Sequence, residues 1–245
     1  GGLRHPRAGL LLPAGGPLMS VNNMPEAAVQ AQRLRVTYSH QGPLRYVGHL
    51  DVVRTWERAL RRAEVPLAYS EGFNPQAKLQ FASGLPLGTT GRAEIMDVLL
   101  TEVTDPAAFA AQVTPHLPAG LAIVAVAEAP IKTKALQGLL RTSEWQADVQ
   151  TDLSADALEA KVRTFMDSAS IEATRRRKSR SNTYDLRILV LNMRCAGQAE
   201  PGWQRLLMTL RSEPSATGRV DAVLEKLDLG EVVSRIERQR LIFAD

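Results

Sequence analysis

The chain of 245 residues is 44% hydrophobic and 23% charged, which is typical of a globular protein, and no apolar run reaches the roughly 18 residues of a membrane-spanning helix. Its single cysteine, Cys195, excludes an internal disulfide and an iron–sulfur cluster held by this chain, and it favours a cytoplasmic location; the four scattered histidines exclude a structural zinc site. The net charge of +4 is local, because residues 131–180 carry ten basic and seven acidic residues whereas residues 33–130 and 181–245 carry nine of each.

The first 32 residues predict a flexible tail. They open with the run GGLRHPRAGLLLPAGGP, whose glycine and proline content favours coil and whose apolar stretch is too short for a secretory signal. Met19 is a candidate for the native first residue, so residues 1–18 are either an extension or part of the protein. Regular structure is expected only from residue 33.

Residues 33–130 predict a first α+β unit. The run RLRVTYS predicts a strand, residues 50–63 an amphipathic helix, and residues 65–69 a second strand. KLQFAS predicts a short strand and residues 94–103 a longer one. Asp105, followed by proline, opens a helix, and GLAIVAVAEA closes the unit as a buried strand.

A second unit is predicted at residues 143–245, after a linker at residues 131–142. SEWQADVQTDL predicts a strand, SADALEAKVRTFMDSA a helix capped by Ser154, and IEATRRR with TYDLRILVLNMR a hairpin with a basic tip. GWQRLLMTLRS and RVDAVLEKLD predict helices, and SRIERQRLIF a final strand. The sequence therefore predicts an α+β fold of two tandem ferredoxin-like (βαββαβ) units with antiparallel sheets.

The helix predicted at residues 50–63 has an arginine-rich side. On a wheel of about 100° per residue its apolar side chains share one arc, and four arginines lie within about 100° of one another on the opposite side. These arginines are Arg54, Arg58, Arg61 and Arg62. Together with Lys78 they are predicted to bind nucleic acid. The alternative is a solvent-exposed face balanced by ion pairs with Glu57 and Glu64.

An anion-binding site is predicted at the start of the same helix. In a ferredoxin-like unit the helix start and the turn after the second strand lie at the same end of the sheet, and a helix N-terminus offers unpaired N–H groups. Gly72 can supply the left-handed backbone of that turn. The predicted site comprises His49, Asp51, Ser70, Gly72, Phe73, Asn74 and Pro75. The alternatives are a helix-capping role for Asp51 and a structural role for His49.

The run RRRKSR is the second predicted nucleic-acid-binding segment. Its five cations are Arg175, Arg176, Arg177, Lys178 and Arg180. They suit phosphate contacts on the tip of a hairpin, although blocks of like charge also occur as solvated surface. Aromatic residues make up only 5% of the chain, so phosphate contacts would lead any binding of RNA.

The segment LRYVGHLDVVRTWERALRRAEVPLAYSEGFNPQAKLQFASGLPLGTTGRAEIMDVLL resembles the radical SAM-linked protein family, a domain of unknown function found fused to or encoded beside radical SAM proteins. The resemblance covers about residues 34–103. Gly48 departs from the usual serine before His-Leu-Asp, and Gln76-Ala77 departs from a His-Pro pair, which removes a catalytic histidine there. The resemblance implies a radical SAM protein as partner. That partner, and not this chain, would hold an iron–sulfur cluster and S-adenosylmethionine.

Three functions remain open from the sequence. The favoured one is a non-catalytic accessory module that binds RNA, or an RNA-containing complex, for a radical SAM partner. The second is a metal-independent RNA-cleaving enzyme in which His49 is the general acid–base and Arg54 or Lys78 steadies the phosphate. The third is a protein–protein adaptor whose arginine-rich helix docks on an acidic partner.

Overall fold

The computed structural model describes residue 1, residues 30–177 and residues 180–244. Most of the predicted flexible tail and Lys178 lie outside these residues. Within them the chain has a mixed α+β fold with a large, mostly antiparallel sheet of nine strands and a separate two-stranded sheet. Each described helix is too short or too polar to span a bilayer.

The first half of the chain contributes four strands in the order β4-β1-β3-β2, with every neighbouring pair antiparallel. Two helices connect them, and Asp105 caps the second by accepting backbone N–H bonds from Ala107 and Ala108. The elements are β1 (Gln32–His40), α1 (His49–Arg62), β2 (Leu79–Phe81), β3 (Thr89–Leu100), α2 (Pro106–Val113) and β4 (Leu121–Ala129), with 3-10 turns at Gly42–Tyr46 and Thr114–His116.

The second half contributes strands in the order β11-β5-β9-β8, again antiparallel, with the short β10 on the edge of β9. The predicted linker at residues 131–142 contains the short helix α3 and the start of β5. The elements are α3 (Leu136–Leu139), β5 (Leu140–Gln150), α4 (Ala155–Asp167), β6 (Glu172–Arg177), β7 (Arg180–Asp185), β8 (Val190–Glu200), β9 (Trp203–Glu213), β10 (Ala216–Thr217), α5 (Val220–Lys226) and β11 (Ser234–Phe243), with a 3-10 turn at Arg187–Leu189.

The two halves share one sheet because β11 pairs in parallel with the start of β3, where Ile236 lies opposite Thr89. Tyr38 and Glu94 are paired residues on one face of the first half, and Arg238 reaches Glu94 from the second half. Trp145, which lies opposite Arg238 on β5, belongs to the apolar cluster of α4 and α5, and Tyr38 belongs to that of α1 and α2, so these four helices pack on the same face of the sheet. Two apolar clusters lie beneath them, one for each half.

Two of the elements predicted in the second half are wrong. The segment GWQRLLMTLRS forms strand β9 and not a helix, because its alternate residues Leu206, Met208 and Leu210 are buried and its backbone pairs with both β5 and β8. The segment TYDLRILVLNMR is not one arm of a hairpin. Only β7 pairs with β6, and after a 3-10 turn the chain enters the main sheet as β8.

Candidate nucleic-acid interface

Helix α1 is held against the sheet by Val52, Trp56 and Leu60, which are buried beside β1 and β3. Its opposite side lies in solvent, where Arg62 donates to the backbone carbonyl of His116 at 2.9 Å. Four exposed arginines on this side form what we call the arginine face: Arg54, Arg58, Arg61 and Arg62. The helical periodicity of the sequence thus places the charges on one surface.

Two of these arginines form ion pairs on the helix surface. Arg54 lies 2.9 Å from Asp51, and Arg61 lies 2.7 Å from Glu57. Among the described residues, Arg58 has no such partner. Exposed ion pairs contribute only about 0–1 kcal/mol, because water and salt screen them. The carboxylates therefore lower the charge of the arginine face, but an arriving phosphate can replace them.

The predicted anion-binding residues do not form one site. The turn at residues 70–75 lies beside the last turn of α1, since Tyr69 accepts a hydrogen bond from Arg61 at 3.2 Å. His49 lies in the first turn, with its ring centre 5.5 Å from that of Phe81. Arg61 follows His49 by twelve residues, which is about 18 Å along the helix. His49 and Asp51 are thus separated from the other five residues, which are Ser70, Gly72, Phe73, Asn74 and Pro75.

The reason is that the predicted second strand, residues 65–69, does not form as expected. These residues make only isolated bridges, from Leu67 to Leu100 and from Tyr69 to Ala77. The chain leaves the sheet after Tyr69 and returns at Ala77, and only then does β2 run along β3. The turn therefore precedes β2, at the far end of α1 from the helix start. Lys78 lies at that same end, away from His49.

The turn itself is closed by hydrogen bonds across its base. The backbone N–H of Ser70 donates to the carbonyl of Gln76 at 2.8 Å, and the N–H of Gln76 donates to the Ser70 hydroxyl at 2.9 Å. Gly72 has φ +114°, a conformation that other residues rarely adopt. Phe73 lies at the tip of the turn and is fully exposed, since its accessible surface is 105% of the value for an unburied phenylalanine.

Strands β6 and β7 form a two-stranded sheet separate from the main one, which we call the basic ribbon. Its register pairs Arg175 with Asn182, Arg176 with Ser181, and Arg177 with Arg180. For residues 176, 177 and 180 the structure describes the backbone alone. At the base of the ribbon Asp185 accepts N–H bonds from Ile171 and Arg187, both at 2.9 Å, and these bonds hold the pKa of Asp185 below its usual value.

A buried ion pair lies behind His49. Arg238 on β11 donates to Glu94 on β3 through two nitrogens, one at 2.8 Å, and to the backbone carbonyl of Ser83 at 3.1 Å. The two side chains are 3% and 1% exposed. Burial lowers the pKa of His49, and the nearby Arg238 lowers it further while Glu94 opposes the shift. His49 is therefore neutral near pH 7 and stands beside a junction of the two halves.

A small polar cavity of about 10 Å³ separates His49 from this ion pair. It is lined in part by His40, whose Nε2 is buried and has no partner among the described residues, and burial lowers the pKa of this imidazole. A cavity of this size holds about one water molecule. Of the two cations expected to steady a phosphate beside His49, Lys78 lies at the other end of α1, whereas Arg54 lies five residues after His49 on the same helix and pairs with the exposed Asp51.

The face of the sheet opposite to α1 and α4 carries many arginines but little net charge. Three of them are paired with carboxylates from neighbouring strands: Arg35 with Asp97, Arg205 with Asp148, and Arg240 with Glu144, all within 3.1 Å. Periodicity did not reveal these pairs, because each joins strands distant in sequence. No group of three or more metal-binding side chains occurs in the described part of the chain.

Comparison with known proteins gives one family match. A family model described as an uncharacterized protein conserved in bacteria (DUF2344) matches residues 33–219. No curated protein matches the chain. A chain in the crystal structure of a Cbf5-Nop10-Gar1 complex is similar over 85% of this chain and 48% of its own length, with 13% identity and a TM-score of 0.48.

A second solved structure, of an H/ACA RNP bound to a substrate RNA containing 2′-deoxyuridine, has 13% identity and a TM-score of 0.43. The similar region covers 84% of this chain and 47% of that one. This chain therefore spans about half the length of both proteins. Similarity at this level establishes neither a shared fold nor a shared function.

Proposed function

This chain belongs to the DUF2344 family of uncharacterized proteins conserved in bacteria, and we propose that it is a non-catalytic module that binds RNA, or an RNA-containing complex, through the basic ribbon and the arginine face. Both surfaces carry guanidinium groups, which form bidentate hydrogen bonds with phosphate. Binding of this kind depends on the RNA backbone more than on its sequence.

The observation that carries this proposal is the register of the basic ribbon. It pairs Arg177 with Arg180 directly after two further arginines, 175 and 176. Like charges at paired positions destabilise a sheet, and an isolated two-stranded ribbon is marginally stable in water. Phosphate groups would relieve that repulsion. The paired arginines are therefore better explained by an anionic partner than by the stability of the ribbon.

The arginine face adds a second contact surface. Its ion pairs are exposed and therefore weak, so exchanging a helix carboxylate for an RNA phosphate has a small energetic cost. The face of the sheet opposite to α1 and α4 is a poorer candidate. Three of its arginines, Arg35, Arg205 and Arg240, already form hydrogen bonds with carboxylates, and a phosphate that bound them would have to replace those bonds.

The test is a salt series of RNA binding by fluorescence anisotropy, using a labelled oligonucleotide of mixed sequence. The triple variant Arg175→Gln, Arg177→Gln and Arg180→Gln should bind more weakly and reduce the slope of log affinity against log salt by about 2, since each contact with single-stranded RNA contributes about 0.7. The matched control Arg92→Gln, Lys132→Gln and Arg163→Gln removes the same charge from exposed positions elsewhere. Equal losses in both variants, or salt-independent binding by the wild type, would refute the proposal.

We propose a radical SAM protein as the partner, which would hold the iron–sulfur cluster and S-adenosylmethionine in the cytoplasm. The support is the sequence resemblance over residues 34–103 and the single cysteine of this chain. Affinity purification with mass spectrometry, with and without nuclease, checks it. Failure to recover an iron–sulfur protein of that class would remove the idea. Recovery that survives nuclease would favour the adaptor function over RNA-mediated association.

We also infer that each half of the chain is a ferredoxin-like unit. The support is that both halves have the same strand order, with the last strand beside the first and the helices on one face. The joint sheet then follows from parallel pairing between the units, at β11 and β3. An experimental structure with a different strand order in either half would contradict this interpretation.

A further inference from the structure

We propose that Phe73 is a stacking platform for an unpaired nucleobase, so that the loop at residues 70–76 directs binding to single-stranded RNA. This inference rests on the proposed RNA-binding function and names the form of RNA that the surface accepts. It is carried by the exposure of Phe73, by the construction of its loop, and by the cations beside it.

The exposure of Phe73 has no explanation in the packing of the protein. Its side chain is 105% exposed, and the residues on both sides of it, Glu71 to Gln76, are all exposed as well. Burying a phenylalanine is strongly favourable, so a loop that served only to connect β strands would place a polar residue at its tip. An aromatic ring held in water is suited to a partner with a flat apolar surface.

The loop presents the ring on a constrained backbone. Two hydrogen bonds between Ser70 and Gln76 close its base. Gly72, immediately before Phe73, has a positive φ, and Pro75 restricts the backbone of Asn74 to extended conformations. Because little backbone freedom is left to lose, stacking on Phe73 carries a reduced entropic cost.

Cations lie next to the loop. The guanidinium of Arg61 lies 5.6 Å from the ring centre of Tyr69, at the base of the loop, and donates to the Tyr69 hydroxyl. Arg58 is one helical turn earlier on the arginine face, and Lys78 follows the loop where the chain returns to the sheet. A base stacked on Phe73 would therefore have its flanking phosphates beside positive charges. An aromatic platform with adjacent cations is how proteins bind single strands without reading their sequence.

Single-stranded RNA is favoured over a duplex because a paired base is stacked on its neighbours and offers no open face. Single-stranded RNA is also favoured over an acidic protein surface, because carboxylates would pair with the cations but would leave the phenyl ring of Phe73 in water. The chemistry of the site thus selects one occupant, an unpaired nucleobase between two phosphates.

The test compares oligo(U), which is unstructured, with a blunt RNA duplex of the same length. Phe73→Ala and Phe73→Leu should lose about 5- to 150-fold in affinity for oligo(U), the range for a stacking aromatic, with an unchanged salt slope. Phe73→Trp should retain affinity, and its added fluorescence should be quenched by oligo(U). Duplex affinity should not change. Tyr46→Ala is the matched control, because Tyr46 is 67% exposed and lies at the other end of α1.

The outcomes separate this inference from the proposed function. If the wild type binds RNA and Phe73→Leu binds oligo(U) equally well, the stacking platform is refuted while RNA binding stands. If the wild type binds neither RNA, both fall. If Phe73→Leu binds RNA as the wild type does but no longer co-purifies with a protein whose association survives nuclease treatment, the loop is a protein-docking element instead. Thermal unfolding checks that each variant is folded.

Discussion

The buried ion pair between Arg238 and Glu94 should be a major determinant of stability, and Arg238→Met tests this. The substitution removes the cation but leaves the Glu94 carboxylate, which is 1% exposed, without a partner. Breaking a buried pair from one side costs about 3–5 kcal/mol. A domain of this kind has a total stability of about 5–15 kcal/mol, so the variant should lose about a fifth of it or more.

Guanidinium-induced unfolding followed by circular dichroism at pH 7 measures this loss. The matched control is Arg240→Met, on the same strand, which breaks an exposed pair with Glu144 of similar bidentate geometry. Arg240 is 63% exposed, so its loss should cost less than about 1 kcal/mol. The double variant Arg238→Met with Glu94→Met removes both buried charges and should recover to within about 1 kcal/mol of the wild type.

The pH dependence of Arg238→Met provides a second measurement. Without its cation, the buried Glu94 carboxylate is an unpaired charge, and uptake of a proton in the folded state relieves that cost. The folded state then binds more protons than the unfolded state, so the stability deficit should be largest at pH 7 and above and should shrink as the pH falls. The reasoning is wrong if Arg238→Met and Arg240→Met cost the same, or if the double variant is no more stable than Arg238→Met.

Two further predictions concern the rest of the first half. Gly120 has φ +96°, and a Cβ there would lie 2.5 Å from the carbonyl oxygen of Gln41. Gly120→Ala should therefore lower the free energy of unfolding by about 2 kcal/mol or more. Thermal unfolding measures this loss, and the control is Gly138→Ala, because Gly138 has open space around it. Burial lowers the pKa of His49 below the unfolded value of about 6.5. Below pH 6.5 the unfolded state therefore binds more protons than the folded state, and the free energy of unfolding should fall as the pH drops from about 6.5 to 5. His49→Gln should flatten this decline in a urea-unfolding series, and an unchanged pH profile would contradict the assignment.

Local signals in the sequence were sufficient for the elements with a strong period or a cap. Helix α1 was predicted at residues 50–63 and spans His49–Arg62, and Asp105 and Ser154 accept the backbone N–H bonds expected of helix caps. Strand β9 was missed because Leu206, Leu207 and Leu210 fit a helical period, while Leu206, Met208 and Leu210 fit a strand equally well. Only pairing with β5 and β8 on both sides resolves that ambiguity.

What the sequence determined by itself is the composition of the surfaces. The arginine face follows from a helical period of 3.6 residues, and the basic ribbon from consecutive arginines at 175–177, because both depend on neighbours along the chain. Tertiary structure alone decided where these surfaces lie relative to other residues. It placed Tyr69, at the base of the loop that carries Phe73, beside Arg61 and not beside His49, and it joined Glu94 to Arg238 across 144 residues. Strand pairing and burial act between segments that are distant in sequence, and no local pattern records which partner each segment finds.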